Sequence, residues 1–266
     1  MPNYVYIIIG FSIIFLATSI GASFVFFFKK KEISKRLNQI FLGFSAGIMI
    51  SASFFSLLKP ALEFESNNLP TWFIVGLSTI LGALFLWGID KLVPHFHTAD
   101  NKEEGIQTKS LSKNAKMFLA VTIHNVPEGL SVGIAFGVAM VQTTHDIKAA
   151  LLSALMLAVG IGIQNIPEGA VVSLPFKSET GSSSKAFWFG TLSGIVEPIA
   201  AIFGFFLAMQ ISSIMPYALA FAAGCMLYVV AEEMIPEMKG ESDDHYGVWF
   251  FIIGFVIMMV LDVVFG

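Results

Sequence analysis

Two similar stretches, TIHNVPEGLSVG from Thr122 and GIQNIPEGAVVS from Gly162, place acidic and amide side chains inside long apolar runs. Residues four apart on an α-helix share a face, so His124 points the same way as Glu128. By the same spacing Gln164 points the same way as Glu168. Asn125 and Asn165 lie one position further around each helix, close enough to line an adjoining part of the same cavity. Imidazole, carboxylate and amide groups together are ligands suited to Zn²⁺ and other first-row dications.

Each copy also carries a proline and a glycine with separate structural consequences. Pro127 and Pro167 have no N–H, so each frees the carbonyl four residues earlier in its helix. A carbonyl without a partner is costly in lipid, so we expect both prolines to face protein or a water-filled path. Gly129 and Gly169 would let a neighbouring helix approach closely.

A third acidic residue, Glu197 in SGIVEPIAA, lies in another apolar run. An ionised acid in the bilayer costs about 3 kcal/mol on insertion scales, and no lysine or arginine lies nearby along these runs. Protons or a bound cation must therefore balance the three acids. A single proline-kinked helix with one buried histidine is most often structural, and a lone buried glutamate can be a protonated hydrogen-bond donor. Two matching motifs and Glu197 together favour a cation site.

The composition indicates what positions these residues. The chain has 266 residues, 56% of them hydrophobic and only 13% charged, against about 25% charged in soluble domains. A membrane span takes roughly 20 apolar residues. The sequence predicts an all-α integral membrane protein that forms one transmembrane domain over residues 1–266. We read its first span as a retained helix, with a signal anchor as the alternative. The eight predicted spans are 4–28, 38–59, 71–93, 116–140, 147–175, 186–209, 213–236 and 247–265.

The basic residues predict the orientation of these spans. Thirteen of the fifteen lysines and arginines fall in or beside the connections after spans 1, 3, 5 and 7, and only Lys59 and Lys148 fall on the other side. Basic residues mark the cytoplasmic connections. We therefore expect both termini outside the cytoplasm and a multi-pass protein of the plasma membrane. The single cysteine excludes a disulfide framework, and no basic tract indicates nucleic-acid binding.

The spans also show an inverted repeat. AGIMISASFFSLLKPALE in span 2 corresponds to AGCMLYVVAEEMIPEM in span 7, and each has a proline twelve or thirteen residues after its glycine. In span 3 Gly82 precedes Asp90 by eight residues, as Gly254 precedes Asp262 in span 8. The members of each pair run in opposite directions, and spans 4 and 5 carry the duplicated motif. This 3+2+3 arrangement is typical of secondary transporters, whose sites lie at the repeat interface near mid-membrane.

With HNVPEG, QNIPEG, eight spans and outside termini, the chain resembles the ZIP (Zrt-, Irt-like) family of divalent-metal transporters, and within it the GufA-like branch. The resemblance covers essentially the whole chain. It implies a transporter that brings a dication into the cytoplasm, with the metal as transported substrate and no cofactor. The residues that it implies for the metal site are Met49, His124, Asn125, Glu128, Gln164, Asn165, Glu168 and Glu197.

The resemblance also implies a division of labour. Spans 1, 4, 5 and 6 would form a transport bundle that moves against a scaffold of spans 2, 3, 7 and 8. Some relatives carry Asp where this chain has Asn165, and there the site can hold two metals. A neutral Asn165 offsets less charge, so we expect one strong site of His124, Glu128, Gln164 and Glu168, with a second site weak or absent.

Other polar residues lie near the cytoplasmic ends of the spans. Asp90, His95 and His97 could receive released metal or belong to a solvated loop. Glu232, Glu233 and Glu237 could line an exit path or form an interfacial acidic cluster.

Sequence motifs distinguish the possible functions of the chain. An intramembrane metal-dependent enzyme is the main rival, but HExxH and the Glu-x-x-His pairs of di-iron proteins are absent, so we expect no enzyme. A purely structural or receptor protein explains neither the repeat nor the buried acids. His124 favours Zn²⁺, while Fe²⁺, Mn²⁺, Co²⁺ and Cd²⁺ stay open. The expected partners are divalent metal ions and the lipid bilayer, with a homodimer as an open alternative.

Overall fold

A computed structural model describes residues 2–27, 34–64, 69–93, 95–97, 102–104, 112–141, 146–210, 214–239 and 245–265, with the backbone alone at 95–97, 102–104 and 113. Within these residues eight helices are long and apolar enough to cross a membrane, as the sequence predicts. They are α1 (Asn3–Phe26), α2 (Lys35–Glu63), α3 (Thr71–Leu92), α4 (Asn114–Val141), α5 (Ile147–Thr180), α6 (Ser183–Gln210), α7 (Met215–Lys239) and α8 (Tyr246–Phe265). The prediction of an all-α integral membrane protein is confirmed.

The helix ends differ from the predicted ones by a few residues. α2 extends at both ends, and α5 continues five residues further, to Thr180. There Gly181 adopts a left-handed conformation with φ 66°, and its N–H bonds to the carbonyl of Lys177. A glycine in this conformation is a common helix stop because it has no Cβ to clash. The duplicated motifs lie well inside α4 and α5, and both helices continue through Pro127 and Pro167.

Irregular turns that the sequence does not predict lie within α2, α6 and α7. α2 has a π-helical turn at Ser53–Leu58, and α7 has one at Val230–Met234. Both turns begin six residues after the repeated glycine, Gly47 in α2 and Gly224 in α7. α6 is interrupted by a turn after Ser193 and resumes at Val196. π turns inside α-helices often lie at functional sites.

The helices pack in pairs that follow the inverted repeat. α1 packs on α5 and α4 on α6, while α2 packs on α8 and α3 on α7. The repeat relates α1 to α6, α2 to α7, α3 to α8 and α4 to α5. It therefore relates the α1–α5 pair to the α4–α6 pair, and the α2–α8 pair to the α3–α7 pair. A Cβ placed on Gly129 would lie 2.2 Å from the carbonyl oxygen of Glu197, and one on Gly169 would lie 2.1 Å from that of Thr18. Both motif glycines therefore permit close contact with a neighbouring helix, as expected from the sequence.

A short two-stranded ladder lies in the connection after α3. β1 (His95–His97) pairs antiparallel with β2 (Lys102–Glu104), and His95 is opposite Glu104. The side chains of His95 and His97 lie outside the described part of the structure, so the idea that they receive released metal stays a prediction.

Candidate metal site

The two motif copies meet where α4 and α5 pack together. Gln164 Nε2 donates a hydrogen bond of 2.8 Å to Glu128 Oε1, which joins one copy directly to the other. Gln164 is completely buried and Glu128 is 1% exposed. The sequence-predicted pairing of the motifs is therefore a direct contact at the centre of the protein.

Four buried oxygen atoms around this contact accept no hydrogen bond from any residue that the structure describes. They are Asn125 Oδ1, Glu128 Oε2, Gln164 Oε1 and Asn165 Oδ1. Buried acceptors are nearly always paired, and leaving one unpaired is costly. The hydroxyls of Ser51, Ser53 and Thr191 share this condition, but a hydroxyl can rotate. Oxygen atoms of amides and carboxylates that lack a donor are suited to a cation.

A cavity of about 90 Å³ contains part of this group. Glu128 and Glu168 line it, together with His124 and Asn125, and the buried Met49 borders it from α2. The cavity continues to Met117 near the start of α4 and to Glu237 near the end of α7. It therefore leads from the motif residues toward the end of the helix bundle that the basic residues assign to the cytoplasm.

His124 is turned along this cavity toward two acidic residues of other helices. Its Nε2 lies 3.0 Å from Glu233 Oε1 and 3.8 Å from Asp90 Oδ1. Ligand atoms of the three side chains lie within 4.8 Å of one another, a spacing that could hold a metal ion. Sequence reasoning placed His124 in the central site and treated Asp90 and Glu233 as separate candidates. The structure brings the three together, and two of them, His124 and Glu233, line the cavity.

Glu197 lies outside the cavity lining described above. It is fully buried, and its carboxylate accepts hydrogen bonds from Thr18, Asn125 and Asn165. The structure thus brings Glu197 next to two of the predicted ligands, Asn125 and Asn165.

A second, larger cavity of about 550 Å³ lies at the opposite end of the bundle. Ser56 Oγ donates a 2.7 Å hydrogen bond to Asp262 Oδ2 there, and Lys59, Glu63 and Asp146 also line the cavity. By the repeat, Ser56 corresponds to Glu233, which lines the smaller cavity, and Asp262 corresponds to Asp90. The smaller cavity is called the inner cavity below, and the larger one the outer cavity. The two cavities share no lining residue. Of these two cavities, only the smaller one is lined by residues of the duplicated motifs, among the residues that the structure describes.

Comparison with known proteins gives consistent matches. The family model described as the ZIP zinc transporter matches residues 4–117 and 115–262. The zinc transporter GufA of Myxococcus xanthus is 36% identical, over 94% of this chain and 95% of its own. The human zinc transporter ZIP11 is 34% identical over 94% of both chains. The zinc transporter ZupT of Corynebacterium aurimucosum is 34% identical over 92% of this chain and 91% of its own.

Proposed function

Because the chain belongs to the ZIP zinc transporter family, we propose that it moves zinc across the plasma membrane into the cytoplasm. Membership itself makes the chain a multi-pass membrane protein that transports a divalent metal ion. The family consists of transporters, so the intramembrane enzyme considered from the sequence is set aside. The choice of metal, the direction of transport and the residues of the site belong to the proposal.

One observation carries the proposed site, namely the four buried oxygens without a donor on Asn125, Glu128, Gln164 and Asn165. They belong to the two motif copies, and Glu128 is joined to Gln164 between them. Glu168 adds a carboxylate to the same cavity as Glu128. Because Asn165 is neutral, the group carries less charge than two dications would need. We therefore assign one metal ion, held by Glu128, Gln164 and Glu168 with His124.

His124 connects this site with the exit. It shares a cavity with Glu128 and Glu168, but its Nε2 faces Asp90 and Glu233. By rotating its side chain, His124 could face either the pair Glu128 and Glu168 or the pair Asp90 and Glu233. It would then stay bound to the metal as the metal moves from the first pair to the second. The conformation described here then has the site open to the cytoplasm, and the outer cavity would join the site after the bundle of α1, α4, α5 and α6 moves.

Transport by purified protein in proteoliposomes tests this function. Zn²⁺ uptake is followed with a trapped zinc indicator, and Fe²⁺, Mn²⁺, Co²⁺, Cd²⁺ and Mg²⁺ are added in turn as competitors. We expect uptake to saturate with increasing Zn²⁺ and to be inhibited by Fe²⁺, Mn²⁺, Co²⁺ and Cd²⁺. Mg²⁺ should not inhibit uptake, because it prefers all-oxygen ligands. Glu168→Gln should reduce uptake at least about tenfold, as loss of a metal-site group typically does.

Glu179→Gln is the matched control. It makes the same chemical change eleven residues further along α5, at an exposed position, and its amide oxygen can still accept the hydrogen bond from Asn114 Nδ2. Uptake by this variant should equal that of the parent. Full Zn²⁺ uptake by Glu168→Gln would show that the metal site lies elsewhere.

A further inference from the structure

The carboxylate of Glu197 joins four helices. Glu197 lies in the first turn of the second half of α6, directly after the interruption that follows Ser193. Its Oε1 accepts hydrogen bonds of 3.2 Å from Thr18 Oγ1 in α1 and 3.2 Å from Asn125 Nδ2 in α4. Its Oε2 accepts a hydrogen bond of 2.5 Å from Asn165 Nδ2 in α5. One side chain thus contacts α1, α4 and α5, and both of its oxygens are occupied.

The two asparagines use their donors completely. Asn125 Nδ2 also donates to the carbonyl of Ser193, and Asn165 Nδ2 also donates to the carbonyl of Ile14. A side-chain amide has two N–H donors, so neither asparagine has one left. These partners are all acceptors, which fixes the orientation of both amides and leaves Oδ1 of each without a donor. Glu197 therefore determines which atom of Asn125 and Asn165 is available to a cation.

The position of Glu197 also separates it from the cavity. Asn125 lines the cavity with His124, Glu128 and Glu168, while Glu197 does not. A metal that bound Glu197 directly would have to displace hydrogen bonds from Thr18, Asn125 or Asn165. A displaced N–H of Asn125 or Asn165 would then be buried without a partner, and the Thr18 hydroxyl would keep only the carbonyl of Ile14 as its acceptor, which opposes the displacement.

We propose that Glu197 is a positioning residue and not a metal ligand. It holds α1, α4, α5 and α6 together as one body, keeps the side-chain N–H groups of Asn125 and Asn165 occupied, and leaves the Oδ1 atom of each without a donor. This inference rests on the proposed function for the identity of the site, and it reverses the assignment of Glu197 as a ligand that the family resemblance implies.

The test compares Glu197→Gln with Glu168→Gln, two changes of a carboxylate to an amide in the same group of helices. The protein without metal is unfolded by heat in detergent, Zn²⁺ affinity is measured by calorimetry, and Co²⁺ is bound as a spectroscopic probe. In Glu197→Gln an NH₂ group replaces one carboxylate oxygen. This NH₂ group then faces at least one donor whose hydrogen bond the carboxylate accepted, so that hydrogen bond is lost. The melting temperature without metal should then fall by several degrees, while the visible absorption bands of bound Co²⁺ keep their energies.

Glu168→Gln should show the opposite pattern. No residue in the described part of the chain donates a hydrogen bond to the Glu168 carboxylate, so stability without metal should be unchanged or higher. Zn²⁺ affinity should fall, and the Co²⁺ bands should move. If the Co²⁺ bands move in Glu197→Gln, Glu197 is a ligand and the inference is wrong. If Glu168→Gln keeps full Zn²⁺ affinity, the proposed site fails instead, and the two failures are distinct.

Thr18→Val keeps the test decisive if Glu197→Gln does not fold. It removes one donor to Glu197 and touches none of the proposed ligands. We expect a smaller loss of melting temperature with unaltered Co²⁺ bands. A melting temperature equal to that of the parent would contradict the role of Glu197 in joining the helices.

Discussion

At the scale of single residues, His124 links the two acidic groups of the inner cavity. It shares the cavity with Glu128 and Glu168 and lies 3.0 Å from Glu233. A metal ligand must be deprotonated to bind a cation, so every group in this cavity is also a site at which protons compete. We therefore expect protons and metal to compete for the same side chains.

Proton competition gives a prediction for His124. Lowering the pH should weaken Zn²⁺ binding, because protonation of His124 or of the glutamates removes a ligand and adds repulsion to the cation. His124→Ala should lower the affinity for Zn²⁺ more than that for Mn²⁺, since imidazole is the softer ligand of the set. It should also make the affinity less dependent on pH between about 5 and 8, where an ordinary histidine titrates.

Calorimetry with both metals at several pH values measures these effects. His245→Ala is the control, because His245 lies in the connection before α8 and away from both cavities. Equal losses of Zn²⁺ and Mn²⁺ affinity in His124→Ala would argue against imidazole ligation.

The sequence could predict that the two motif copies lie together, but not all of the contacts that their side chains make. Spacing on a helix predicts that His124 lies with Glu128, and both line the same cavity. It also pairs Gln164 with Glu168, but Gln164 contacts Glu128 and does not line that cavity. The direction in which His124 turns depends on Asp90 and Glu233, which come from α3 and α7, and no local pattern specifies that meeting. The same holds for Glu197, since its partners lie on three other helices.

At the scale of elements, the motif glycines decide how closely the helices of the site can pack. Gly129→Ala would place a methyl group 2.2 Å from the carbonyl oxygen of Glu197. The backbone of α6 must then move, and overpacking of this kind costs about 1–3 kcal/mol, sometimes more. We expect a lower melting temperature and weaker Zn²⁺ binding, measured in the same purified sample.

Gly76→Ala is the matched control for this change. A Cβ on Gly76 has nothing within 4 Å, although Gly76 also lies inside a membrane-spanning helix. Alanine favours the helix over glycine by up to about 1 kcal/mol, so this variant should be as stable as the parent or more stable. If Gly129→Ala matched it, α4 and α6 would have to be further apart than the structure shows.

The irregular turns mark the limit of what helical patterns predict. Apolar runs and flanking polar residues identified all eight helices, because the bilayer requires long apolar segments. The π turns at Ser53–Leu58 and Val230–Met234 leave no local signal except a proline further along each helix. Their matched places in α2 and α7 became visible only through the repeat. The turn in α2 carries Ser56, which lines the outer cavity, and the turn in α7 carries Glu233, which lines the inner cavity.

At the scale of the whole molecule, the inverted repeat gives the protein two cavities that are related by exchange of its halves. The inner one reaches the motif residues and the outer one does not. Alternating access requires a second conformation in which this relation is reversed. The division into a moving bundle and a scaffold stays a proposal, as does a homodimer, and the contacts of Glu197 with α1, α4 and α5 favour motion of α1, α4, α5 and α6 together.

Orientation in the membrane gives the last prediction. Leu69 precedes α3 and His245 precedes α8, and these two helices correspond in the inverted repeat. Both residues are exposed, and the distribution of basic residues places Leu69 outside and His245 in the cytoplasm. With the buried Cys225 replaced by alanine, a cysteine at position 69 should react with a membrane-impermeant maleimide on intact cells. A cysteine at position 245 should react only after the cells are permeabilised. The permeabilised sample is also the control, because both positions should then label equally. Labelling of position 245 on intact cells would show that the orientation is the reverse of the one assigned here. The cavity that reaches His124 and Glu128 would then open to the outside.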